Sequence, residues 1–237
     1  MAKGWSGKGL ALLIAKEVID DRVIPSLLQS TVDQLLAHQQ TDGSWFSIEG
    51  NRKKPLKIAG WEHGMAGITC FLLEYLRRYK NPRTELAVTK ALHWLTRNAG
   101  HKKSQSLDDS GIILCLIKAY DVLDDYSYRQ QAEKALGMIP ANYAMPDLTL
   151  ASGLAGVGEL YLEAAKVFRS EEWKSRAHQI VDHLLHYFVR QKDGSNYWLT
   201  KKPYVSISDL FVGNAGIIHF LLRCSQLDNI CHPLTII

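Results

Sequence analysis

Gly60-Trp61-Glu62-His63-Gly64-Met65-Ala66-Gly67-Ile68, running into Thr69-Cys70-Phe71-Leu72-Leu73-Glu74-Tyr75-Leu76, sets two glycines three residues apart at the head of an apolar run. A histidine stands just before the first glycine. The phrase returns as Ala151-Ser152-Gly153-Leu154-Ala155-Gly156-Val157 and as Phe211-Val212-Gly213-Asn214-Ala215-Gly216-Ile217, each followed by a similar apolar stretch. Gly4-Trp5-Ser6-Gly7 opens the chain in the same way, and Asp108-Asp109-Ser110-Gly111-Ile112 is a degraded copy. The phrases begin at Gly4, Gly64, Asp108, Gly153 and Gly213, so successive spacings are 60, 44, 45 and 60 residues. Self-similarity at that period marks stacked units of two helices each.

The second helix of each unit is visible between phrases. Residues 25–39, 84–97 and 173–190 carry apolar side chains at helical spacing, and 128–136 forms a shorter partner. Nothing alternates with period two for long, so the fold class is all-α, read as one domain over residues 1–237. Glycine at a helix start allows close backbone approach. It also leaves first-turn N–H groups open to a ligand or a bound anion. If every phrase starts an inner helix, these starts converge, and a site forms from residues just before each first glycine. Two further segments match each other, Gln40-Thr41-Asp42-Gly43-Ser44-Trp45 and Gln191-Lys192-Asp193-Gly194-Ser195-Asn196-Tyr197-Trp198. Both read as Asp-Gly turns with an aromatic tucked back against the helices.

Composition narrows the function. The 237 residues are 46% hydrophobic, enough for a substantial core. A net charge of +4, with no aromatic residues interleaved in a basic run, excludes nucleic acid as the natural partner. The densest basic cluster, Arg52-Lys53-Lys54 with Lys57, reads as a solvated loop beside Pro55. Four cysteines without CxxC or scaffold spacing fit a reducing cytosol. No signal peptide and no apolar run of membrane-spanning length are present in the sequence, which places the chain in the cytoplasm. His178, His183 and His186 lie on one amphipathic helix and face solvent, while Asp121, Asp124 and Asp125 read as a capped turn between helices.

At its phrases the chain resembles the lanthionine synthetase C-like family, whose members are α/α toroids of seven helical hairpins. Residues 60–68 are similar to the family's G-x-A-H-G-x-A-G-I motif, and Leu148 to Gly156 to its L-C-H-G segment, closest to the cyclase domains of large bifunctional synthetases. Asp209 to Ile217 resembles the last repeat, and Gly4 to Gly7 a middle one. The resemblance implies a partial barrel of about five hairpins. It further implies the C-terminal part of a larger synthetase, a chain whose ends a partner covers, or an arc that closes with fewer hairpins, of which the first two are favoured.

The family's zinc ligands are a Cys in a W-C-x-G motif and the Cys-His pair of L-C-H-G. The matching positions here are Ser106, preceded by Gln105, and Ala151 and Ser152. None supplies the soft N/S donors that zinc prefers. The resemblance therefore runs to the zinc-free branch, as in class III and class V lanthipeptide systems, with no metal and no cofactor. Zinc in the family lowers the pKa of the peptide thiol that adds to dehydroalanine or dehydrobutyrine. Without it, acid–base side chains take over. His63 matches the motif histidine and is the catalytic candidate. Lys102 falls where the family carries an Arg near a ligand and is placed to stabilise a thiolate or enolate. Asp108 and Asp109, of which one is an N-cap candidate, join Trp61, Glu62 and Ser152 as substrate-binding candidates.

Two readings follow from the resemblance. One is a zinc-independent cyclase domain that forms lanthionine or labionin thioethers in a dehydrated precursor peptide. The other is a non-catalytic relative that holds precursor peptide, leader or core, for a partner synthetase. A kinase or lyase module in the same or a partner chain accompanies either. The family's catalytic Asp belongs ahead of the phrase at Gly4, and Met1-Ala2-Lys3 carries no counterpart. A third class, another α/α-toroid enzyme such as a terpenoid cyclase or glycosidase, would rest on Asp108-Asp109.

Overall fold

The structure, a computed structural model, describes residues 4–20, 22–47, 56–61, 64–98, 108–140, 147–200 and 206–233. Its described residues form helices α1 (Trp5–Val18), α2 (Val23–Ala37), α3 (Met65–Arg78), α4 (Pro82–Asn98), α5 (Asp108–Leu123) and α6 (Tyr126–Gly137). They continue as α7 (Leu154–Phe168), α8 (Glu171–His186), the short strands β1 (Phe188–Arg190) and β2 (Asn196–Trp198), and α9 (Asn214–Ser225). The all-α expectation holds. The helix expected over 173–190 ends early, because residues 188–190 pair with 196–198 in an antiparallel hairpin too short to show a period of two.

The chain divides into two compact units, one up to Ala132 and one over Glu133–Thr235. In the first, α3 packs between α1 and α5, and α2 and α4 back them as the second helices of their hairpins. Its core includes Leu13, Leu28, Val32, Phe71, Leu92 and Ile117. In the second, α7 packs on α8 and α9, around Leu154, Tyr161, Leu162, Ile180, Leu184 and Phe220.

The phrases do start the inner helices α1, α3, α5, α7 and α9, and in four of them the first glycine is the N-cap. These glycines have ordinary extended backbone angles, such as φ −132° at Gly64 and Gly153. What demands glycine is space. The loop doubles back so that residues 58, 147 and 207, each six before its cap, press their carbonyls onto Gly64, Gly153 and Gly213. A Cβ at Gly153 would meet the Asp147 carbonyl and lie 2.5 Å from the Thr149 nitrogen. The second glycine repeats the device, Gly156 against Leu150 and Gly216 against Leu210.

Inner helices meet through a shared register. Gly9 of α1 receives the ring of Phe71 on α3, and Gly158 of α7 receives Phe220 on α9. Each glycine is five residues after its cap and each phenylalanine seven after its own.

The Asp-Gly turns take the form expected. Gly43 and Gly194 have φ of +87° and +85°, and the Asp42 and Asp193 carboxylates accept from the N–H and hydroxyl of Ser44 and Ser195. Trp45 and Trp198 donate their indole N–H to Leu35 and Leu184 at the ends of α2 and α8. Lys57, 2.5 Å from Asp42, and the Ser44 hydroxyl hold the Asp42 carboxyl down at about 2. The remainder of the basic cluster, residues 52–54, lies outside the described residues. The two turns differ in surroundings: a Cβ at Gly43 would sit 2.5 Å from the Lys90 carbonyl, whereas Gly194 has open space. Gly194→Ala is expected to destabilise by about 1 kcal/mol, for left-handed strain alone. Gly43→Ala adds overpacking against backbone and should lose about 3 kcal/mol in urea unfolding.

Candidate functional site

The loop ahead of α3 is seated on the first turn of α5. A Cβ on Gly111 would lie 3.1 Å from the Trp61 Cβ and 3.3 Å from that of Ala66, so glycine there lets the two helix starts close up. Trp61 is half-buried and within about a turn of the backbone of Asp108 and Asp109, whose side chains lie outside the described residues. Glu62, His63, Lys102 and Ser106 also lie outside them.

In the second unit the starts of α7 and α9 come together, with the Ala151 N–H donating to the Phe211 carbonyl at 2.8 Å. Ser152, half-buried, donates its hydroxyl to Asp147 Oδ2 at 2.5 Å, while Asp147 Oδ1 accepts from the Thr149 N–H. Thr149 Oγ1 completes the cluster 3.4 Å from the Ser152 hydroxyl.

One expectation is corrected here. The leading first-turn N–H groups of α3, α7 and α9 are not open to a ligand. Met65 and Ala66 donate to the carbonyls of Ile58 and Ala59; Leu154, Ala155 and Gly156 to Asp147, Leu148 and Thr149; Asn214 to Ile207. The doubled-back loop that requires the glycines supplies the acceptors that satisfy these helix ends. A ligand at these starts therefore meets side chains rather than a ring of free amides.

Sequence reasoning missed a second feature, a pair of buried charge networks at the tenth residue after each cap. Glu74 of α3 pairs with Lys118 of α5, and Arg77 lies 2.5 Å from Asp121 beside it. Glu163 of α7 meets Arg223 of α9 at 2.6 Å, and Arg223 also binds Glu159, which accepts from His219 Nδ1 at 3.1 Å. Burial would raise the Glu159 carboxyl, but His219, His232 and Arg223 outweigh it and hold it below its ordinary value. The signal was present in the phrases, whose tenth residues read Glu, Lys, Glu and Arg from the second phrase onward.

The sequence profile of the lanthionine synthetase C-like protein family matches residues 1–107 and 109–234. The chain belongs to that family. No curated protein sequence gives a significant match. Among solved structures, nisin cyclase superposes with a TM-score of 0.68 at 16% identity, covering 96% of this chain and 63% of its own. An α-1,6-mannanase from a Salegentibacter species, inactivated by two adjacent Asp→Asn substitutions and bound to α-1,6-mannotriose, superposes at 0.57 and 11% identity, covering 83% of this chain and 64% of its own. Both likenesses establish the helical fold alone. The chain spans less than two thirds of either.

As a lanthionine synthetase C-like chain, it carries donors that do not suit the zinc implied by its family. Ala151 has no donor atom, and the Ser152 hydroxyl is engaged by Asp147. Among the described residues no group of three or more His, Cys, Asp or Glu is arranged to hold a metal ion. Nor are the thiols of Cys70 and Cys224 activated nucleophiles. Burial pushes the Cys70 thiol well up, aided by Cys115 2.7 Å away, and burial likewise raises Cys224. No helix among the described residues is long and apolar enough to cross a membrane.

Proposed function

We propose that this chain is a zinc-independent lanthipeptide cyclase domain acting on a dehydrated precursor peptide in the cytoplasm, with a kinase or lyase module in the same or a partner chain. The observation that carries the reading is the union of family membership with a hard/small residue set, Ala151 and Ser152, where soft zinc donors belong. In the proposed step His63 takes the proton from a peptide cysteine, and the thiolate forms a C–S bond at the β-carbon of dehydroalanine or dehydrobutyrine. The displaced π pair becomes an enolate that Lys102 stabilises until the α-carbon is protonated. The half-buried Trp61 wall offers an apolar surface for the peptide, with Glu62, Asp108, Asp109 and Ser152 supplying polar contacts.

A second reading, a non-catalytic module that holds precursor peptide, is favoured by the Ser152–Asp147 bond, which turns the old ligand position to loop structure. Thiol loss measured with dehydrated precursor separates the two. The expected result is cyclisation that needs no added zinc and falls about 100-fold or more in His63→Ala, the scale of one acid–base group. Peptide binding without thiol loss, or a rate indifferent to His63, moves the assignment to the second reading.

A further inference from the structure

The seat between α3 and α5 differs from the two glycine–phenylalanine seats. Counted from Asp108, where the phrase of α5 begins, the seventh residue is Cys115, at the position that holds Phe71 in α3 and Phe220 in α9. Like them it faces the preceding inner helix, and there it meets Cys70 with the two sulfurs 2.7 Å apart. Both thiols are free and both residues are buried. Cys115 also donates its S–H to the Ala66 carbonyl at 3.1 Å, which holds its sulfur on the α3 side. The two helices are in register on either side of the pair. A turn earlier Ala66 packs on Gly111, beside the Trp61 contact, and a turn later Glu74 pairs with Lys118.

Two thiols placed this way need little further motion to bond. A disulfide holds its sulfurs about 2.05 Å apart, so less than about 1 Å remains to close. The helices that a bond would join are already packed, so the oxidised chain keeps the reduced fold. We propose that Cys70 and Cys115 are a reversible disulfide site that ties α3 to α5 one turn below the seat of Trp61, with a low-molecular-weight disulfide as the oxidant. One cysteine thiolate attacks the small disulfide, forms a mixed disulfide and releases one small thiolate. The second cysteine thiolate attacks the protein sulfur of that mixed disulfide and releases the other. Two protein thiols and one small disulfide thus become one protein disulfide and two small thiols, which carry away the two cysteine protons. Burial pushes the Cys70 thiol up and shields both sulfurs, so the first attack waits on a local opening of the α3–α5 seat. In a reducing compartment such a bond is transient and follows the state of the thiol pool, rather than stapling the fold.

Linkage mapping tests this. The folded full chain is incubated with excess oxidised glutathione, its remaining thiols are blocked, and it is digested without reductant for mass spectrometry. The expected product is one peptide pair joined through Cys70 and Cys115, two hydrogens lighter than the reduced pair and lost after dithiothreitol. The bond closes a span of 45 residues within the first unit, so oxidation should raise Tm by about 5–10 °C. Dithiothreitol should reverse that rise, and Cys70→Ala and Cys115→Ala should not show it. The linkage map uses the wild type alone, so it stands even where a variant folds poorly. The same incubation in urea separates placement from chance, because the pair should then be diluted among the other pairings that the four cysteines allow. Four outcomes overturn the proposal: Cys70 and Cys115 recovered as free thiols from the oxidised folded chain; either one recovered as a glutathione adduct or linked to Cys224 or Cys231 instead; a yield of the pair no higher in the folded chain than in urea; and a Tm that oxidation leaves unchanged.

Discussion

Gly153→Ala is expected to lower the stability of the second unit by about 3 kcal/mol, at the top of the range for overpacking. The added methyl would fall on the Asp147 carbonyl, 2.5 Å from the Thr149 nitrogen, and both neighbours are backbone that cannot rotate away. Relief requires the 147–152 loop to withdraw. That removes acceptors from the Leu154, Ala155 and Gly156 N–H groups and releases the Asp147–Ser152 bond. Spread over a domain of this size, the loss corresponds to a fall in Tm of about 6–12 °C. Gly4→Ala is the control. It caps α1 with similar extended angles but has no atom within 4 Å of the new methyl, so it should change stability by no more than about 0.5 kcal/mol. Equal effects at the two caps would show that helix-start propensity, not loop contact, is what selects glycine.

That contrast also explains what could be read from the sequence. The glycine phrases were legible because at Gly64, Gly153 and Gly213 the constraint is local: a residue six before the cap returns onto it. The Asp-Gly turns and their tryptophans were legible for the same reason. The Gly9–Phe71 and Gly158–Phe220 seats and the tenth-residue ion pairs were not, since their partners lie about 60 or 45 residues apart and each residue reads alone as an ordinary helical position. The engagement of first-turn amides was misjudged because a glycine pair marks close backbone approach without naming what approaches; in anion sites it is a ligand, and here it is the loop. At the candidate site, Ser152 was singled out for the donor it replaces, whereas its actual partner, Asp147, stands one residue ahead of the segment that carried the resemblance.

Replacing Arg223 by methionine is expected to cost about 4 kcal/mol, because removing one member of a buried ion network leaves its partners uncompensated. Arg223 is fully buried and binds both Glu159 and Glu163. The pH dependence identifies the cause. In the wild type Glu159 has a folded-state pKa below its ordinary 4.5, so its contribution is present above that pH and is lost as pH falls through the lower folded value. In Arg223→Met the burial of Glu159 remains while the guanidinium that helps hold its carboxyl down is gone, so the folded-state pKa of Glu159 rises from its wild-type value even with His219 and His232 in place. The variant therefore lacks the part of the Glu159 contribution that Arg223 supplies at neutral pH, and that loss fades as pH falls through the carboxylate range. Urea unfolding at pH 7 and pH 4 should therefore show a deficit against wild type that is largest at pH 7 and smaller at pH 4. A deficit that is the same at both values would point to lost packing of the long side chain rather than to charge. Lys118→Met tests whether the repeat uses one device twice: it removes the buried partner of Glu74 in the other unit, and because the two networks share no residue its effect should add to that of Arg223→Met.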